Sequence, residues 1–292
     1  MYRFLIAMIA IVCSTQTTAG PRVIDSLGRE VTLEKPAESI IGLAPHIVEN
    51  LYSAGAGEKL IGAVSYSDYP EEATALPQVG SAYAWSLESV VALAPDLVVL
   101  WGSGNGSSAL SQLERLGITV YVSEPRTIAD IADSIRDFGT LAGTEANAEQ
   151  SAARFEHVME TLQADYQRDN KLRVFYQIWN KPLQTINGEH MISQVIELCG
   201  GINVFESEAQ LAPRISLESV LDINPDAIVA SGMGKARPEW LDDWKQYGSL
   251  RAVQQGALLH VHPDLIQRPT VRIAQGATDL CSQLDHVRTE LP

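Results

Sequence analysis

The residues best suited to chemistry in this chain are aromatic. Tyr66, Tyr69, Tyr83, Trp85 and Trp101 fall in or beside loops that follow strand-like apolar runs in the first half, and Trp179 follows such a run, Val174 to Ile178, in the second. Rings grouped in this way stack on flat molecules and hold them. In open α/β sheets, ligands sit beyond the carboxyl ends of the strands. Aromatics from both halves are therefore expected to line a cleft for a large flat ligand; the alternative is that half of them fill cores. Catalytic signatures are missing by contrast. There is no His-Glu-x-x-His zinc motif, no Gly-x-Ser-x-Gly elbow and no Walker phosphate loop. Gly102-Ser103-Gly104-Asn105-Gly106 is off-pattern for a dinucleotide site, and Gly234-Lys235 is not followed by Ser or Thr. Both runs read instead as places where backbone turns tightly or approaches something large. The six histidines are scattered; His260 and His262 alternate along a strand-like run, which suits either a two-His metal site or two outward side chains.

The elements that must position these rings alternate between strand and helix. Val23 to Leu33 reads as two short strands around a Gly turn, Ile40 to Leu43 and Leu60 to Val64 as buried strands, and Ile47 to Ala54 as a helix stopped by Gly55 and Gly57. Such alternation predicts a parallel, helix-covered sheet. One internal repeat organises the rest. Ser86-Leu87-Glu88-Ser89-Val90, followed by Pro95-Asp96 and an apolar strand, is echoed by Ser216-Leu217-Glu218-Ser219-Val220, Pro225-Asp226 and another strand. Each copy predicts a Ser-capped helix that ends before Pro-Asp and feeds a buried strand. A spacing near one domain length points to two similar lobes rather than a solenoid. Between them, Thr144 to Asp169 lacks Gly and Pro and carries Ala152, Phe155, Val158, Met159 and Leu162 at helical spacing. The expected organisation is thus α/β: a signal peptide over 1–19, an N-terminal αβ lobe over 22–143, a connecting helix over 144–170 and a C-terminal αβ lobe over 171–292. Two Rossmann-like lobes on a long rigid helix would permit only a modest hinge.

Composition narrows the class. The 292 residues are 46% hydrophobic and 20% charged with a formal net charge of -15, which argues against nucleic acid and anionic lipid as partners. Arg3, the apolar run Phe4 to Cys13 and the small residues Thr17-Thr18-Ala19 predict a secretory signal cleaved near Ala19, the alternative being lipidation at Cys13. Cleavage leaves Cys199 and Cys281, expected to pair in an oxidising compartment unless they are two buried free thiols.

Ser65-Tyr66-Ser67-Asp68-Tyr69-Pro70, Gln78-Val79, Leu87-Glu88, Val195 to Gly201 with Cys199, and the run Asp264 to Arg268 resemble the periplasmic binding proteins of ABC importers that carry iron siderophores, heme and corrinoids. The first and last of these motifs point to the vitamin B12 (cobalamin)-binding branch. The resemblance spans the chain from about Val23 to near its end. It implies a monomeric periplasmic protein without catalysis or a cofactor of its own. Such a protein holds cobalamin or a related corrinoid between two lobes and delivers it to a membrane permease. It implies that Tyr66 contacts the macrocycle, that Asp264 to Arg268 closes over it, and that Trp101 and Trp179 lie near similar contacts, with Tyr83 and Trp85 expected beside them. Two positions depart from the pattern: Tyr83 stands near where a tryptophan is expected, and Ala212 replaces another aromatic. The resemblance further implies that Glu88 and Glu218 dock onto arginines of the permease, a pairing whose bidentate geometry fixes orientation; a helix dipole alone would also favour a Glu there. The nearest alternative cargo is heme, with His46 or Tyr66 as axial ligand, or a ferric siderophore held by Arg214, Arg268 and Arg272. A secreted metal-dependent enzyme and an adhesion or signalling module are alternatives from other classes.

Overall fold

The computed structural model describes residues 20–289 apart from 233 and 235. The expected signal segment with Cys13, and Lys235, lie outside the described residues. The chain opens with an antiparallel hairpin, β1 (Arg22–Ile24) and β2 (Glu30–Thr32), turned at Gly28 with φ 74°. The first lobe then runs β3 (Ile40–Gly42), α1 (Pro45–Ser53), β4 (Leu60–Ala63), a small hairpin of β5 (Gly80–Ser81) and β6 (Ala84–Trp85), α2 (Leu87–Ala92), β7 (Leu97–Trp101), α3 (Ala109–Glu114) and β8 (Thr119–Ser123). Two helices follow, α4 (Ile128–Ala142) and α5 (Glu145–Tyr166). The second lobe contains β9 (Leu172–Gln177), a hairpin of β10 (Trp179–Asn180) and β11 (Leu183–Gln184), α6 (Met191–Leu198), β12 (Gly201–Asn203), α7 (Leu217–Ile223), β13 (Ala227–Ala230), α8 (Arg251–Gln254), β14 (Leu258–His260), α9 (Pro263–Ile266) and α10 (Ile273–Thr289).

The two main sheets have the same topology. The first is ordered β4-β3-β7-β8 and the second β12-β9-β13-β14, every pairing parallel. In each, the first strand lies between the second and the third, so the order reverses beside it and opens a crevice at the strands' carboxyl ends. The repeat accounts for part of the likeness. Ser86 and Ser216 each accept a hydrogen bond from the backbone N–H three residues on, capping α2 and α7. Within two residues of each helix's end comes a residue with positive φ just before proline, Ala94 (48°) and Asn224 (52°), as the proline ring disfavours a helical predecessor. Asp96 then accepts from the N–H of Ser39 and Asp226 from that of Arg173, tying each repeat to the central strand of its own sheet.

Strand side chains alternate between two cores, as burial on both faces requires. In the first sheet Ile40, Leu97, Val99 and Tyr121 face one way and Ile41, Val98, Leu100 and Val122 the other; in the second, Val174, Tyr176 and Val229 oppose Phe175 and Ile228. The outer cores are private to each lobe. The inner core is shared, because residues of α1, α4, α5, α6 and α10 join both sheets in one apolar cluster. On α5, Ala148, Ala152, Phe155, Met159 and Leu162 are buried at helical spacing, whereas Val158 is exposed, a correction to the expected stripe. The helix ends at Tyr166, short of the expected 170. It also does not connect the lobes alone: α4, begun by a Thr127–Asp130 capping box and ended at Gly143 in the left-handed region, packs along it. Cys199 and Cys281 are bonded inside this shared core, joining the end of α6 to α10. Closing an 82-residue separation restricts the unfolded chain by about 4.5 kcal/mol in the chain-entropy account.

Candidate binding cleft

The first lobe presents its rings from loops at the carboxyl ends of its strands. Trp101 ends β7; its ring meets Tyr83 at 5.8 Å between centroids and the edge of His46 at 5.3 Å. Tyr83 lies at the tip of the β5–β6 hairpin and is 77% exposed. One buried side chain holds these loops together. Asn105 accepts from the N–H of Trp101 at 2.5 Å and donates to the carbonyls of Leu43 and Ala82 at 2.7 Å each. Its backbone carbonyl accepts from Trp85 Nε1 at 3.2 Å. Three chain segments are thereby fixed around one amide. The sequence marks this point only by its glycines: a Cβ on Gly104 would lie 1.9 Å from the Trp101 ring, so the indole lies flat against bare backbone. Tyr66 extends from the loop after β4, 78% exposed, on a backbone with φ 68°, an uncommon conformation for a non-glycine residue.

The second lobe supplies Trp179, which begins the β10–β11 hairpin after β9; its Nε1 donates to the carbonyl of Lys181 at 3.0 Å and its ring is partly exposed. Ala212, which stands where an aromatic is expected, lies exposed beside Leu211 on a segment bonded to that hairpin's continuation. Beyond β14, His262 caps α9 by accepting from the Asp264 N–H. His260 is the last residue of β14, so the two histidines belong to different elements rather than one strand face.

The lobes meet through an ion network that sequence reading placed only in part. Arg268 Nη1 reaches Asp68, two residues from Tyr66, at 2.9 Å, and its Nη2 reaches Asp264 at 3.2 Å. Arg272 donates from Nε and Nη2 to the two oxygens of Glu49 at 2.7 and 2.6 Å, and its guanidinium lies 3.9 Å from the Tyr69 ring centroid. Glu49 also lies 3.9 Å from Arg268, and Asn50 donates to the carbonyl of Pro269 at 2.9 Å. Glu49, at 1% exposure, belongs to α1, and its partners precede α10. Asp68, Asp264 and Arg268 therefore converge, with Tyr66 on the same loop as Asp68. Glu49 and Asn50 went unread because the flanking Val48 and Leu51 mark the helix as core, and a carboxylate on such a face signals a buried partner only once that partner is known.

His46, considered above as an axial ligand for heme, is enclosed by the fold. It is the second residue of α1, 6% exposed, with its Nε2 buried and unbonded. Burial, reinforced by the positive charge of Arg268, lowers its pKa to about 3, so the ring is neutral behind Trp101. With Nε2 shielded from solvent, the ring presents no open axial position to a ligand in this structure. Of the three arginines considered for an anionic cargo, Arg268 and Arg272 already hold carboxylates, and Arg214 is exposed on the strand edge beside Gln184. Glu88 and Glu218 occupy the same place in the first turns of α2 and α7, both exposed. A depression of about 650 Å³ opens between the β1–β2 turn, the ends of β7 and β8 and α4, and Trp101 with Gly102 and Ser103 forms part of its lining.

Comparison with known proteins follows the same outline. Residues 40–265 match the family model described as periplasmic binding protein. The vitamin B12-binding protein of Vibrio campbellii is 35% identical over 253 residues, covering 87% of this chain and 91% of the relative. The crystal structure of the periplasmic vitamin B12 binding protein BtuF of Vibrio cholerae superposes with a TM-score of 0.79 at 32% identity, over 87% of this chain and 99% of that one. The periplasmic heme binding protein HutB of the same organism shares the fold, with a TM-score of 0.74 at 19% identity over 84% and 98% of the two chains.

Proposed function

Because this chain belongs to the periplasmic binding protein family, we propose that it is the substrate-binding component of an ABC importer and that its cargo is cobalamin or a related corrinoid. The observation that carries this reading is the placement of exposed rings on loops at the carboxyl ends of two topologically identical sheets. A corrin is broad and flat, and aromatic faces gain both area burial and stacking against it. In this reading Tyr66, Tyr83, Trp85 and Trp101 form the first lobe's wall and Trp179 the second's, while Asp264 and Arg268 border the macrocycle where the lobes join. The cobalt travels inside the cargo. Delivery would place the exposed carboxylates of Glu88 and Glu218, one per lobe, on arginines of the permease, setting register by two separated pairs. The work is capture and delivery rather than catalysis, in the periplasm once a signal at 1–19 is removed, with the protein acting as a monomer.

Isothermal titration with cyanocobalamin tests the cargo. One-to-one binding at micromolar affinity or tighter, roughly 8 kcal/mol, is expected; binding of hemin alone would replace corrinoid with heme as cargo. For docking, Glu88→Ala with Glu218→Ala should retain cargo affinity and lose uptake in vesicles carrying the permease, and normal uptake would remove the docking role.

A further inference from the structure

Among the described residues of this ion network, carboxylates outnumber guanidiniums. Glu49, Asp68 and Asp264 face Arg268 and Arg272, an excess of one negative charge in a chain already at -15. Neither guanidinium is spare. Arg272 gives two donors to Glu49 and its face to Tyr69, and Arg268 divides its two terminal nitrogens between Asp68 and Asp264. Both are largely shielded from water, with side chains 18% and 16% exposed, so the pairing is screened less than at an open surface. A carboxylate on an arriving ligand would have to displace one of these partners or lie unpaired beside Asp68 or Asp264. An amide meets neither obstacle, since it can donate to a carboxylate and accept from a guanidinium at once.

We propose that this network is a charge filter, in which Asp68 and Asp264, backed by Glu49, reject macrocycles with carboxylates at their rim and admit macrocycles rimmed by amides. The inference rests on the reading that cargo lies against the lobe junction. It assigns to Asp68 and Asp264 a part in specificity: they occupy Arg268, which an anionic cargo would otherwise recruit.

The test compares hemin, whose two propionates are carboxylates, on the wild-type protein and on Asp68→Asn with Asp264→Asn, by absorbance titration at low and high salt. The double variant should bind hemin at least tenfold more tightly than wild type, with the gain shrinking as salt rises. Equal or weaker hemin binding by the variant overturns the filter. Asp68→Asn alone, at a half-exposed position, repeats the comparison if the double variant does not fold, and should show a smaller gain in the same direction. Cyanocobalamin titration of the wild type reads the cargo assignment separately: its failure removes the corrinoid and leaves the hemin comparison standing.

Discussion

His46 is a titratable group stored as a neutral ring. In the unfolded chain it titrates near 6.5, and in the folded protein burial lowers this to about 3. Below pH 6.5 the unfolded state therefore gains a proton that the native state refuses, and stability falls with acidification until the folded value is reached. Integrated from pH 6.5, where the unfolded ring is half protonated, to pH 4.5, the loss from this one residue is on the order of 2 kcal/mol. Urea unfolding at those two pH values should show His46→Phe losing correspondingly less stability than wild type; matching losses would mean that His46 takes up its proton in the native state. The same residue shows why sequence read this site incompletely. Its type and its position after a strand were visible, and its burial depends on Trp101, which arrives from a strand more than fifty residues away. Asn105 was legible only as part of a glycine-rich run, because its three partners lie on three separate segments.

At the scale of elements the reading was fuller. The Ser-Leu-Glu-Ser-Val repeat gave two helices with the same cap, and a cap is a contact across three residues. Ser86→Ala and Ser216→Ala should each cost about 1 kcal/mol, and the double variant about 2 kcal/mol, since the caps lie in different lobes and share no partner. Chemical denaturation measures both; a double loss well below the sum would mean that the lobes unfold independently rather than as one unit. The helix α4 was not anticipated, although Thr127, Asp130 and Gly143 are start and stop signals in their proper places. Its neighbour α5 was legible from a long run without Gly or Pro and from the helical spacing of its apolar residues. That α5 rests on a second helix depends on which of its faces is buried, and Val158 facing solvent shows that the apolar stripe was narrower than spacing implied.

For the whole molecule, the shared core and the Glu49–Arg272 pair join the two lobes by different means. The apolar cluster is indifferent to small shifts, whereas a bidentate pair has one preferred geometry. Glu49→Gln leaves Arg272 with its charge and without its main partner, and should destabilise the protein by about 3–5 kcal/mol. Replacing both, Glu49→Leu with Arg272→Met, should recover most of that loss, as apolar groups of similar volume tolerate the same space. Urea unfolding of the two variants decides: an equal loss in both would show that packing around the pair, rather than its charge, joins the lobes there. One core spanning both lobes is expected to limit how far the halves move.

Taken alone, the sequence determined the α/β class, the twin lobes and the capped repeat, because each follows from periodicity or local capping; it left two cysteines as candidates for a bond that the structure shows. It also carried the family resemblance that the comparisons bear out. Only the tertiary structure decided that Asp68, Arg268 and Glu49 meet, that His46 is closed off, and that Arg272 is already engaged. Those contacts join residues about two hundred positions apart or on separate strands. No local pattern encodes them, since it is the packing of both sheets on one helical layer that brings them within reach.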